Sequence, residues 1–273
     1  MDLLIENEQN IRISVSVGLL LLLAGAEFII PLARRKTGRA FQWSTNILII
    51  VVNTAILRLL FPLLAVGVAQ YADKNAIGLF NVIELNEWPA IILSLLLLDL
   101  LIYGQHVLVH KVPVLWRLHR MHHTELGLDV TTANRFHPIE IIISMLIKMG
   151  FVLILGVPVV AVILFEILLN GLALFNHSNI KLPASLEKIL RIFIITPEIH
   201  WIHHSEIAVE TNSNYGFNLC IWDKIFGTYT SKPILAFDEM HQGLSEFGLE
   251  KPLDIIELII SPFKNYPAHK EQE

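Results

Sequence analysis

Residues 91–110 read IILSLLLLDLLIYGQHVLVH, and the fold turns on what this apolar run is for. With Trp88 and Pro89 ahead of it, it supplies roughly the 20 residues a helix needs to cross a ~30 Å hydrocarbon layer, and Trp suits the layer's edge. Asp99 is the only charged residue before the two histidines that end it, His106 and His110. On a helix, positions i and i+4 share a face. The stretch therefore reads as a membrane span that delivers a pair of imidazoles to one side of the bilayer.

The rest of the chain agrees. Of its 273 residues 54% are hydrophobic and 16% charged, and mean hydropathy is +0.58. Three further apolar runs, residues 13–33, 44–69 and 139–175, are long enough to cross. A cleavable signal peptide is the rival reading of the first, but acidic Asp2, Glu6 and Glu8 precede it and the run continues past Ala24-Gly25-Ala26. The run 139–175 carries only Glu140, Lys148 and Glu166 and is too long for one crossing. Gly156 and Pro158 break it, which predicts either a two-helix hairpin or one span plus a re-entrant segment.

Orientation follows from the loops. Arg34, Arg35, Lys36 and Arg39 place the end of the first span in the cytoplasm. Arg117, Arg120, Arg135 and Lys181 flank the later spans on the same side, so every histidine cluster is expected to face the cytoplasm. The expected fold is all-α: a polytopic membrane bundle of four to five spans or re-entrant helices with a cytoplasmic, histidine-rich helical cap. Its regions are 1–97 (membrane spans), 98–230 (catalytic region) and 231–273 (cytoplasmic tail). Segments 185–195 and 253–263 are amphipathic and suited to the membrane surface. A net charge of −5 without a basic stripe argues against nucleic acid. A single cysteine, Cys220, excludes an internal disulfide and a multi-cysteine zinc finger.

Twelve histidines are present, and most crowd into a few stretches. HRMHHTE at 119–125 returns as HWIHHSE at 200–206, so His119, His122 and His123 share one helical face and His200, His203 and His204 another. With His106 and His110 that makes eight imidazoles, more than one ion accepts, and two metal ions are implied. Neutral imidazole suits iron, zinc, copper or nickel. His177 is a candidate ninth ligand. His137, before a proline, is expected to cap the next helix or support a ligand, and His241 and His269 are expected at the surface. Asp99, about 10 Å along the helix from His106, is a candidate support for an imidazole. Glu125 and Glu206, two residues beyond each HH pair, are candidate orienting or proton-carrying groups. Arg58 in the second span, where an unpaired charge costs roughly 3 kcal/mol, is expected to pair structurally, with Glu166 at similar depth as the candidate partner, or else to form a polar wall of a substrate cavity.

HVLVH, HRMHH and HWIHH, in this order and spacing, resemble the three histidine boxes of the fatty acid hydroxylase/sterol desaturase superfamily. RFHPIE, NHSNIKLP and NYGFNLCIWDKIFGTY (residues 214–229) extend the resemblance from about residue 98 to 229. One departure is that some members carry a further HX3H box, where this chain has His177 but Lys181 four positions on. The resemblance implies a di-iron centre, with zinc as a possible replacement. It also implies O2 as co-substrate and hydroxylation or desaturation of a lipid C–H bond. Electrons would come from a separate donor of the ferredoxin or cytochrome b5 type with its reductase. Two rivals stand beside it. A metal-transport or metal-binding membrane protein would hold ligands near the midplane on broken helices. A zinc hydrolase would need only three ligands.

Overall fold

A computed structural model describes residues 2–35, 37–61, 63–248 and 252–265. Lys36 and His269, both given roles by the sequence, lie outside the described residues. Among those residues five helical segments are long and apolar enough to cross a membrane. They are α1 (Glu8–Ile29), the region 39–82 that begins with α2 (Arg39–Leu60), α3 (Glu87–Lys111), α5 (Pro138–Leu155) and α6 (Val159–His177). Helix α4 (Pro113–His123) follows α3 directly, and α7 (Pro197–His203) lies beyond α6. No named strand occurs among the described residues; only two isolated bridges, Ile194 with Leu219 and Ser205 with Gln242, link the cap. The chain is thus a helical, multi-pass membrane protein.

The second apolar run departs from a single span. Helix α2 stops at Leu60, and Phe61 leaves the helical region with φ −124° and ψ 88°. The next residue in the sequence is a proline, whose ring disfavours helical geometry at the residue before it. A separate helix, Leu64–Lys74, then packs Ala65, Val66 and Ala69 into the main core with Val152, Val160 and Ile163. Residues 139–175 form the two-helix hairpin, one of the two expected forms. Gly156 caps α5 at φ +66°, a conformation that favours glycine, and Pro158 opens α6. Gly78 (φ +99°) lies so close that an added Cβ would sit 2.1 Å from the Gly156 amide nitrogen. Large apolar side chains such as Leu21, Phe28 and Ile154 are exposed, as lipid-facing surfaces require.

Buried polar anchors tie the histidine-bearing end to α1 and α2. Glu27 accepts from the backbone amides of Val130 (2.8 Å) and Asn179 (2.9 Å). Asp129 caps the short 3₁₀ turn Val130–Asn134 and pairs with Arg35 (2.6 Å), while Trp43 donates to it (2.9 Å). Glu166 corrects one expectation: it pairs with Arg12 (2.6 Å) and Lys148 (2.7 Å) and not with Arg58. Those two cations are the ones within reach, because α1 packs beside α6 and the Lys148 side chain extends across from α5. Arg120 and Arg135 are both buried. They therefore act as internal anchors, and the loop charges that bear on orientation are fewer than the sequence suggests.

Candidate metal centre

Four helix ends converge on one site. The last two turns of α3 carry His106 and His110, and α6 ends on His177. Val112 is extended, so Pro113 starts α4 as a new helix at an angle to α3, and its C-terminal turn holds His119, His122 and His123. Pro197 likewise opens α7, which carries His200 and His203 and is followed by His204. All nine imidazoles are buried. They sort into two groups whose nitrogens lie within 4.8 Å of one another: His106, His110, His119, His123 and His203 in one, and His122, His177, His200 and His204 in the other.

The outer ring nitrogens are fixed by acceptors. Nδ1 of His106 meets the Tyr215 carbonyl (2.7 Å), His177 the Ala173 carbonyl (2.8 Å) and His203 the Ser213 carbonyl (2.7 Å). His119 Nδ1 meets the Glu140 carboxylate (2.7 Å), and His122 Nδ1 lies 3.3 Å from the Arg135 carbonyl. An Nδ1–H held this way leaves the Nε2 lone pair free as a ligand. Nε2 of His106, His119, His123, His203 and His204 is buried with no hydrogen-bond partner, and so are both nitrogens of His110. Such orphaned atoms are costly unless a cation accepts them. In the second group Nε2 of His177 lies 3.0 Å from Nε2 of both His122 and His200. Two nitrogens each about 2.1 Å from one ion have about this separation. The donor set therefore fits two ions of a nitrogen-preferring transition metal.

Burial holds His122, His123, His200 and His204 well below the ordinary imidazole range, and neighbouring imidazoles push the same way. His203 is pushed down to about 3, again by burial, with its bond to the Ser213 carbonyl opposing. These five imidazoles are thus held in the neutral form that ligation needs.

The three carboxylates singled out by sequence have different surroundings. Glu125 is fully buried and pairs with Arg135 at 2.7 Å, with Asn46 and its neighbour Leu126 also donating. Burial pushes the Glu125 carboxyl up and Arg135 opposes that shift. Glu206 is half-buried; its backbone amide donates to the His241 carbonyl at 3.0 Å, and its side chain has no partner among the described residues. Asp99 receives the Trp222 indole N–H (2.8 Å) and the Leu219 amide (3.2 Å) and reaches no imidazole, because two turns of helix separate it from His106. The carboxylate that does touch an imidazole is Glu140, which the sequence gave no such role. Its signal was its place in RFHPIE, two residues into α5 and facing α4. His137 caps α5, accepting from the Ile139 amide at 3.2 Å, and lies outside both histidine groups; His241 is exposed.

The run at 214–229 holds His106 from outside. Asp223 accepts from the amides of Tyr215 and Gly216 (both 2.8 Å) and from the Thr228 hydroxyl (2.6 Å), which sets the Tyr215 carbonyl against His106. A Cβ at position 216 would come within 2.7 Å of Asp223 Oδ2, so this approach requires glycine. Beside the centre, a cavity of about 360 Å³ runs between α1, α2, α3, α5 and α6. His106 and His119 line one end, and Ile50, Leu57, Ile102, Val109, Met145 and Leu169 line its walls.

A family model described as fatty acid hydroxylase matches residues 91–228. An ornithine lipid hydroxylase, OlsE, of Rhizobium tropici is 30% identical over 176 residues, covering 63% of this chain and 51% of that protein. Human alkylglycerol monooxygenase is 30% identical over 159 residues (58% of this chain, 32% of that protein). Human cholesterol 25-hydroxylase is 27% identical over 148 residues (54% and 53%). The matched segment thus spans about half or less of each relative. No solved structure matches the chain at a significant level.

Proposed function

The chain belongs to the fatty acid hydroxylase family, and on that premise we propose that it is a membrane di-iron oxygenase that hydroxylates or desaturates a C–H bond of a lipid. The observation that carries this reading is the position of the two inward-facing histidine groups at one end of a cavity whose walls include Ile50, Leu57, Ile102, Val109, Met145 and Leu169. His106, His110, His119, His123 and His203 would hold one ion, and His122, His177, His200 and His204 the other. Bound iron would supply the O2 activation and oxidising power that acid–base side chains lack for an unactivated C–H bond. Zinc fits the same nitrogens but offers no redox chemistry.

The chain's own residues do the rest. Ile102, Val109, Met145 and Leu169 offer an alkyl chain an apolar wall beside His106 and His119 and keep water from it. Glu140 and the carbonyls of Tyr215, Ser213, Ala173 and Arg135 fix imidazole orientation. Glu125 and Asp99 are positioning residues in this reading, since donors from neighbouring segments occupy each. Glu206, with a side chain that bonds nothing described, is the better candidate for carrying a proton to the centre. Electrons come from a separate ferredoxin or cytochrome b5-type donor, and the histidine face is cytoplasmic, which suits a soluble carrier.

The test combines metal analysis of the purified protein with an O2- and reductant-dependent assay. About two irons per chain and reductant-dependent oxygen uptake are expected. His122→Ala should lose both metal and uptake, while His241→Ala should keep both. Stoichiometric zinc without oxygen uptake would overturn the proposal.

A further inference from the structure

The cavity has a second end, and it is charged. Arg12, Arg58, Lys148 and Glu166 line it together. Glu140 and Lys148 both line the cavity from α5 and are eight residues apart, so about 12 Å separates the histidine end from the charged end. Lys148 lies eight residues before Gly156 and Glu166 eight residues after Pro158, each about 12 Å from that turn and well inside the spanning layer. Ionisable groups at such depth are expensive and mark function by default.

Charge accounting shows what this end lacks. Glu166 serves Arg12 and Lys148, and Glu8 also serves Arg12 at 2.9 Å. Three cations thus face two carboxylates. Arg58, exposed in the last turn of α2, lines the cavity and has no ion pair or hydrogen bond among the described residues. The Arg12 Nε is also buried without a partner. A guanidinium presents a planar fork of donors matched to carboxylate or phosphate oxygens. Between the two ends the walls carry Ile50, Leu57, Ile102, Met145 and Leu169, with Thr54, Ser144 and Asn170 among them.

We propose that Arg58, together with Arg12 and Lys148, forms a headgroup subsite for the carboxylate or phosphate of an anionic lipid whose alkyl chain runs along the cavity toward His106 and His119. The proposal rests on the lipid-oxygenase reading for its consequence but not for its binding. An extended chain with bonds of about 1.5 Å advances about 1.3 Å per carbon, so roughly nine or ten carbons span the ~12 Å gap. The oxidised position is then counted from the head.

Displacement of tritiated hexadecanol from the purified full chain in nanodiscs tests this. Competitors are palmitate, hexadecyl phosphate, unlabelled hexadecanol and hexadecyltrimethylammonium. The wild type should prefer palmitate or hexadecyl phosphate over hexadecanol by at least ten-fold, and whichever leads identifies the head. Arg58→Gln should erase that preference with the hexadecanol midpoint unmoved, and Arg58→Lys should retain much of it. No anion preference in the wild type, a preference that survives Arg58→Gln, or tightest binding by the quaternary ammonium would each overturn the proposal. Metal content and oxygen uptake are measured on the same preparations. Zinc without uptake beside an intact anion preference would sink the oxygenase reading and leave the subsite standing.

Discussion

Arg135→Met offers the most direct test of how the first histidine motif is held. Arg135 and Glu125 form an ion pair at 2.7 Å with side chains 1% and 0% exposed. The same guanidinium reaches the Thr124 hydroxyl (2.8 Å), Asn46 Oδ1 (3.2 Å) and the Met121 carbonyl (3.2 Å). Three of these four partners lie in or beside the turn that carries His119, His122 and His123. Removing the arginine strands a carboxylate with no water to solvate it, and breaking such a pair costs about 3–5 kcal/mol. At about 2–4 °C per kcal/mol, apparent Tm should fall by roughly 6–20 °C. Replacing both partners by apolar residues, Arg135→Met with Glu125→Leu, should recover a large part of that loss, because a well-packed apolar pair is often no worse than a buried ion pair. Thermal unfolding followed by intrinsic fluorescence, with metal content measured on each variant, gives the readout. Glu206→Gln is the comparison: its half-buried carboxyl bonds nothing described, and the expected change is within about 0.5 kcal/mol. A fall for Arg135→Met no larger than that for Glu206→Gln would refute the reasoning, as would a double variant no more stable than Arg135→Met.

Two further outcomes follow from the same geometry. Glu140→Ala removes the acceptor on His119 Nδ1; metal affinity should drop about 10–100-fold by competition with a chelator, with Glu140→Gln milder, and unchanged affinity in both would refute the role. The histidines with lowered pKa favour folding while neutral, so their contribution is full above about pH 6.5 and is lost as pH falls toward the folded value, about 3 for His203. Metal-depleted protein should therefore lose about 1.4 kcal/mol per pH unit below 6.5 for His203 alone, with His122, His123, His200 and His204 steepening the decline; denaturant titrations between pH 8 and 5 that show flat or rising stability would refute it.

Hydropathy made the spans legible because each helix must satisfy its backbone internally and present apolar side chains to lipid, and both demands are written in local sequence. The turn at Gly156 and Pro158 was legible for the same reason. What escaped was long-range. Arg58 and Glu166 sit at similar depth, but depth does not say which helices are neighbours, and Glu166 met Arg12 and Lys148 instead. Arg135 counted as a loop charge until the fold buried it beside Glu125. Glu140 resembled any first-turn acid, because the imidazole it holds lies 21 positions earlier on another helix.

The histidine motifs show the limit of reading one helix at a time. Positions i, i+3 and i+4 share a face, but a shared face does not say which ion each imidazole serves. His119 and His123, the i and i+4 members of the first motif, join one group, while the i+3 member His122 joins the other. In the second motif His200 and His204 join the other group, and His203 crosses back to the first. Each motif therefore gives a pair to one group and a single imidazole to its neighbour, in opposite senses, and neither group is complete without both copies. The remaining places are unequal. The last two turns of α3 add two imidazoles, His106 and His110, whereas α6 adds only His177. Ser178 turns extended at φ −63° and ψ 146°, and Lys181 is exposed. The helix that would carry a ligand four positions after His177 has already ended, so the groups stand at five and four. The repeat is thus a requirement of sharing two sites between two helices. The glutamate that ends each copy escapes that requirement: Glu125 became an anchor for Arg135, and Glu206 kept a side chain free of partners among the described residues.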